Sequence, residues 1–261
     1  MSSQSELQSN PEHKKNNKNS ASEVGHAKNV ANFQDLIAYC TAYGATYNPS
    51  KIALQLTALN TILTSAQTEL SNVTTAKNIF DTVTGDRQIA FEPLKPLATN
   101  IYNSLSVTDA TDQTLADAKT INNKLQGRRS GTVSETPPTE GGTAPNTVSV
   151  SRQSYDMLTE NFSELIDLIS SVPSYTPNET ELTVTSLTTF HSNLQTANTN
   201  VINAEVVYSN ARISRNTILY AENTGLVDIA LEVKKYVKAV FGATSPQYKR
   251  ISGIKFTNRK E

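Results

Sequence analysis

Apolar residues recur at three- and four-residue steps through residues 178–222: Val184, Leu187, Phe190, Leu194, Ala197, Val201, Ala204, Tyr208 and Ala211. That spacing lays one stripe along one face of an α-helix. The stretch contains neither Gly nor Pro, so nothing in it interrupts a helix of roughly 65 Å. A second stripe precedes it: Ile52, Leu56, Leu59, Ile62, Leu63, Ala66, Leu70, Val73, Ala76, Phe80 and Val83. Its alternation of three and four is the coiled-coil pattern. Ser50 is placed to cap the start of this helix. Gly85 weakens the pattern without ending it, and Glu92 with Pro93 marks a break.

Shorter elements surround these two. Phe33, Leu36, Ile37, Tyr39 and Cys40 fit one face of a helix that starts near Ala31 and ends near Gly44, followed by a turn at Tyr47, Asn48 and Pro49. A third helix is expected over about 94–105 and a fourth over about 111–125, closed by Gly127. In the second half, Asn223, Thr224 and Gly225 read as a break before a helix over 226–241 that Gly242 closes. Tyr248, Ile251 and Ile254 are the residues that could dock the remaining tail.

The two halves repeat. Leu54, Leu56, Leu59 and Ile62 stand 128 positions before Leu182, Val184, Leu187 and Phe190, and Val73, Ala76 and Phe80 stand the same distance before Val201, Ala204 and Tyr208. NFQDLI at 32–37 is echoed by NFSELI at 161–166, and YNP at 47–49 by YTP at 175–177. The predicted architecture is all-α: tandem-duplicated helical units with long antiparallel helices in an elongated bundle. Five segments follow: a disordered leader over 1–28, repeat 1 over 29–127, a Pro/Gly/Ser/Thr linker over 128–147, repeat 2 over 148–242 and a basic tail over 243–261. The leader and linker hold too little apolar surface to fold by themselves.

Composition narrows the functional classes. Apolar residues make up 37% and charged residues 18%, and Ser, Thr and Asn fill the difference. A net charge of −1 gives the whole chain no bias toward nucleic acid or anionic membranes. The charge is unevenly spread, however. Residues 151–205 carry seven acids and one base, and residues 206–261 ten bases and four acids. Cys40 is the only cysteine, which excludes an internal disulfide and a cysteine-based zinc site. No secretory signal or transmembrane run is read, so the expected setting is cytoplasmic.

Candidate chemistry is sparse. His13 and His26 fall in or beside the leader. His191 lacks a metal-ligating partner three or four residues away and reads as structural. Glu160 and Glu164 share a helix face, continued by Asp167, and read as a solvated face. No phosphate-binding glycine loop or nucleophile elbow occurs. No catalytic, metal or cofactor residue is assigned, and no enzyme activity is expected.

Arg87 and Arg215 occupy equivalent places at the ends of the two stripes, with Arg212 one turn before the second. An arginine continuing an apolar seam snorkels to water or pairs with an acid. For Arg215, Asp228 or Glu232 is the acid within expected reach. A structural ion pair is favoured over a ligand- or partner-binding role. Lys249, Arg250, Lys255, Arg259 and Lys260 form a basic tail with Tyr248 and Phe256 interleaved, a pattern that suits single-stranded nucleic acid.

Several stretches resemble a family of uncharacterised two-repeat helical proteins from Bacteroidota: GHAKNVANF at 25–33, YNPSK at 47–51, NTGLVDIAL at 223–231 and FGATSPQYK at 241–249. The resemblance implies a bacterial, all-helical protein and carries over no activity and no site residue. The function expected from the residues is a non-enzymatic scaffold or adaptor that associates with itself or with another protein. The alternatives are nucleic-acid binding through the basic tail, and an amphipathic-helix protein that rearranges onto membranes.

Overall fold

The computed structural model describes residues 21–128 and 153–259. The stretches 1–20, 129–152 and 260–261, which hold most of the expected leader and linker, lie outside the described residues. The described chain is helical, with no strand among its elements. In order these are α1 (Ala21–Ala42), α2 (Leu56–Phe91), α3 (Leu94–Leu105), α4 (Asp112–Gln126), α5 (Tyr155–Ser170), α6 (Val184–Tyr220), α7 (Leu226–Phe241) and α8 (Pro246–Ser252). Short 3-10 turns at Ile52–Leu54 and Thr180–Leu182 precede the two long helices.

Those turns shift both long-helix starts from the positions expected. Gln55 and Thr183, the residues after the turns, have ψ of 147° and 143°, so the chain is extended there before it coils. The Thr183 hydroxyl then accepts from the Ser186 N–H and caps α6. The expected helix of ~65 Å is therefore 37 residues long, about 55 Å at the standard rise. In the other direction, α1 begins at Ala21, inside the stretch assigned to the leader.

Thr, a middling helix former, is abundant in α2 and α6. Its hydroxyls largely bond back to the helix that carries them. Thr61, Thr64, Thr74, Thr82, Thr188, Thr189, Thr196 and Thr217 each donate to the carbonyl four residues earlier. These polar side chains thus stay satisfied on an exposed helix without a partner. What the long helices bury is a narrow line. Leu59, Ala66 and Val73 fall at seven-residue steps in α2, and Leu187, Leu194 and Val201 do so in α6. Seven-residue spacing is the coiled-coil seam.

The chain divides into two compact units. One comprises Met1–Thr74 with Asn210–Glu261, the other Thr75–Ser209. Their boundaries cut through α2 and α6, and each unit takes helices from both of the segments 29–127 and 148–242. In the first unit, α1 packs on α7. Phe33, Leu36, Ile37 and Cys40 of α1 share a core with Leu226, Ile229, Ala230, Val233 and Val237 of α7 and with Ile251 of α8. Ile251 is fully buried, and Tyr248 and Ile254 pack beside it, so these three residues dock the tail. In the second unit, α5 packs on α3 and α4. Phe162, Leu165 and Ile169 of α5 meet Ala98, Ile101 and Leu105 of α3 and Ile121 and Leu125 of α4.

Each unit holds the same small device. The Tyr47 hydroxyl donates to the Leu54 carbonyl at 2.7 Å, and the Tyr175 hydroxyl to the Leu182 carbonyl at 2.9 Å. In each case a buried tyrosine after the short helix pins the 3-10 turn that leads into a long one.

Candidate functional site

The densest set of buried polar groups lies on one face of α1. His26, Asn29 and Asn32 are all less than a tenth exposed. They sit three residues apart, so they follow one side of the helix. Tyr220, at the end of α6, meets the first two. Its hydroxyl lies 2.6 Å from His26 Nδ1 and accepts from Asn29 Nδ2 at 3.2 Å. A hydroxyl has one proton and two lone pairs, so which group donates between Tyr220 and His26 follows the imidazole tautomer.

The outer side of this face is covered by residues 255–257. Asn29 Nδ2 donates to the Thr257 carbonyl at 2.8 Å, and the Thr257 N–H donates to Asn29 Oδ1 at 3.1 Å. Asn32 Nδ2 donates to the Lys255 carbonyl at 2.6 Å. Lys234 of α7 holds the same segment from the other side, donating to the carbonyls of Ser252 and Ile254, with its ammonium 5.3 Å from the Phe256 ring. Burial lowers the Lys234 pKa. Gly25 leaves room for Arg259, whose side-chain atoms would lie 2.2–2.8 Å from a Cβ at that position. A cleft of about 400 Å³ continues beside this segment, bounded by Lys28, Asn32, Asp35, Tyr39 and Arg250.

Of the five tail residues expected to contact a ligand, Arg250 and Arg259 rest against their own chain. Arg250 donates through Nε to the Tyr39 hydroxyl at 2.7 Å and lies 5.4 Å from that ring. Arg259 is half-buried against Gly25, and its Nε makes no hydrogen bond. Lys249 and Lys255 are exposed, and Lys260 lies outside the described residues.

The arginines of the seams behave differently from one another. Arg87, half-buried in the second unit, donates to Asn198 Oδ1 at 2.8 Å and lies 4.0 Å over the Tyr155 ring. Asn198 in turn donates to Asp156. The expected ion pair is therefore replaced by an amide and an aromatic face, with a carboxylate one step further on. A guanidinium is weakly hydrated and planar, so a ring face is a good seat for it. Arg215 is fully buried in the first unit, and its Nε and one terminal nitrogen both donate to Asn216 Oδ1. Adjacent helical side chains ordinarily diverge; here the long guanidinium folds back to reach its neighbour. Asp228 and Glu232 are engaged elsewhere, Asp228 by the Asn223 N–H and Glu232 by Lys51. Arg212 is half-buried.

His26 corrects the reading of the leader: it belongs to the core of the first unit. His191 is half-buried near Phe162, at 6.3 Å between rings. It borders a cleft of about 600 Å³ with Asp156, Glu160 and Asn198. Glu164 pairs with Lys124 at 2.9 Å on the surface. Cys40 is buried, and burial pushes its thiol up to about 12. A thiol so hard to ionise is a poor nucleophile. Among the described residues, no group of three or more His, Cys, Asp or Glu side chains is placed to hold a metal ion, and no helix is long and apolar enough to cross a membrane. The sequence-level signal for the α1 face was its run of His26, Asn29 and Asn32 at three-residue steps. No family model, curated protein or solved structure matches the chain.

Proposed function

We propose that this protein is a non-enzymatic helical scaffold or adaptor that works by association with itself or with another protein. The observation that carries this reading is the surface of the long helices in the second unit. Ile79, Ile89, Ile202, Val206 and Val207 are each at least half exposed. Exposed aliphatic side chains along two long helices are apolar surface that a partner helix would bury. The helices around them bury only a coiled-coil seam and keep their polar side chains self-satisfied, so they offer length rather than a pocket.

The same proposal includes a duplicated, antiparallel arrangement. Tyr47 and Leu54 stand 128 positions before Tyr175 and Leu182, and the buried residues Leu59, Ala66, Val73 and Ala76 stand 128 before Leu187, Leu194, Val201 and Ala204. Within the second unit, Phe80 stacks with Tyr208 at 6.1 Å while Arg87 reaches Asn198. Numbers that rise on α2 as they fall on α6 are the mark of antiparallel neighbours. The nucleic-acid alternative is less well supported, because Arg250 and Lys234 are committed to their own chain.

Affinity capture of the tagged protein from its native cells, with and without nuclease, tests this. A stoichiometric protein partner, or a self-associated bait, that survives nuclease is the expected result. Partners lost with nuclease would transfer the function to the basic tail. A monomeric bait that captures nothing would overturn the scaffold reading.

A further inference from the structure

We propose that the face of α1 formed by Gly25, Asn29 and Asn32 is a binding site for an extended peptide main chain, filled in cis by residues 254–259 and open to the same segment of a second copy. This deepens the scaffold reading by naming one contact through which copies associate, and it rests on that reading.

The segment is held as a strand would be. Ile254 and Phe256 are half-buried, while Lys255 and Thr257, which alternate with them, are exposed. That alternation is the period of an extended chain. In such a chain the N–H and C=O groups of alternate residues point the same way. The groups that Asn32 and Asn29 engage belong to Lys255 and Thr257, two residues apart. Side chains three apart on a helix are spaced by ~5–6 Å, and two residues of extended chain cover ~6.6 Å. The two spacings match, so one turn of α1 reads two residues of peptide. Gly25 lies four residues before Asn29 and meets the side chain of Arg259, two after Thr257, so the antiparallel direction continues while the alternation of side chains ends at Thr257.

Asn29 has a partner besides the peptide. Asn29 is fixed through Tyr220, and Tyr220 through His26. An amide held in that way presents one donor and one acceptor to the peptide, the pair that a neighbouring strand would offer. The side chains of Lys255 and Thr257 play no part in these bonds, so recognition runs through the main chain and through the apolar positions 254 and 256.

Exchange of the occupant requires a local opening of residues 254–259, beyond the buried Ile251. Its anchor, Ile251 in α8, is fully buried, and Gly253 follows it with open space around its Cα. Local openings of this kind require far less free energy than global unfolding. An opened molecule exposes both an unoccupied α1 face and a free segment that fits it. Two such molecules satisfy each other by exchange, which is the simplest route to a symmetric pair.

The test uses the full-length chain carrying Thr257→Pro and Phe256→Ala. Proline removes the N–H that Asn29 accepts, and alanine removes the apolar plug. A fluorescein-labelled peptide of residues 253–259 is titrated against this variant and the wild type, read by anisotropy. The variant should bind about tenfold more tightly than the wild type, whose tethered segment competes at high effective concentration, and adding Asn29→Ala should abolish that gain. Equal binding by the folded variant and the wild type, or a gain that survives Asn29→Ala, overturns the site. If circular dichroism shows the variant unfolded, hydrogen exchange of the wild type decides. Exchange of the Thr257 amide faster than that of the α1 amides supports the site, and exchange at the same rate overturns it. Light scattering then tests the second copy. Self-association that weakens with Thr257→Pro supports exchange, and a wild type that stays monomeric, or association that is insensitive to the change, overturns it. A partner still captured from cells in that case would leave the scaffold reading intact.

Discussion

Asn29 grips Thr257 by both of its main-chain groups, across 228 positions of sequence. The same amide is bonded to the buried hydroxyl of Tyr220. Asn29→Ala removes three hydrogen bonds at once and strips a partner from a hydroxyl that is almost fully enclosed. The expected cost is about 1–3 kcal/mol, read as a lower melting temperature together with faster exchange of the Thr257 amide. Asn29→Asp should do no better, because a carboxylate keeps the acceptor for the Thr257 N–H but faces the Thr257 carbonyl without a proton to offer. A melting temperature unchanged in both variants would show that the segment is not held by this residue.

Two glycines should respond in opposite directions to alanine. Gly85 lies inside α2, and a Cβ there meets nothing within 4 Å. Gly85→Ala should stabilise the protein by about 0.5–1 kcal/mol through helix propensity and the loss of unfolded-state freedom. Gly225 precedes α7, and a Cβ there would lie 2.6 Å from the Ala221 nitrogen and 2.7 Å from its carbonyl oxygen. Backbone cannot step aside as a side chain can, so Gly225→Ala should cost about 1–3 kcal/mol. Paired urea titrations check both signs.

The elements legible in the sequence are those whose cause is local. The limits of α3 and α7 follow from Pro93 and from Gly225 and Gly242, and both helices run as expected over 94–105 and 226–241. The seam positions follow from a period that a helix imposes on its own residues. The α1 face was not legible for the opposite reason. His26, Asn29 and Asn32 are polar residues at the start of the described chain, and their partners are Tyr220 and a segment more than 220 positions later. Arg87 and Arg215 show the same limit. Both follow an apolar stripe in the sequence, yet one rests on Tyr155 and the other folds onto Asn216. Partners like these are set by packing, which the spacing of a single stripe does not encode.

In the second unit, Arg87, Asn198 and Tyr155 should behave as one coupled group. Arg87→Met keeps most of the apolar stem but loses the hydrogen bond to Asn198 and the cationic contact with the ring. It should cost about 1–2 kcal/mol. Asn198→Ala alone removes the acceptor and frees Asp156. Because both changes break the same bond, the double variant should cost less than the sum, with a coupling of about 0.5–1.5 kcal/mol. Strict additivity in a double-mutant cycle would show that the bond contributes nothing to stability.

Alkaline pH should weaken the first unit through Cys40. Burial raises its thiol from 9.0 to about 12. Burial, reinforced by the neighbouring Cys40, also raises the Tyr47 hydroxyl. Between pH 9 and 12 the folded chain keeps a thiol proton that the unfolded chain gives up. The native state then binds more protons, so stability is complete below pH 9 and falls as the pH rises toward 12. The slope for one such group approaches about 1.4 kcal/mol per pH unit. Cys40→Ala removes that titration and leaves Tyr47 in place. Urea midpoints measured from pH 7 to 10.5 should therefore run parallel for wild type and variant up to about pH 9 and converge above it, as the wild type loses stability faster. Curves that stay parallel to pH 10.5 would show that the thiol ionises in the folded protein as readily as in the unfolded chain.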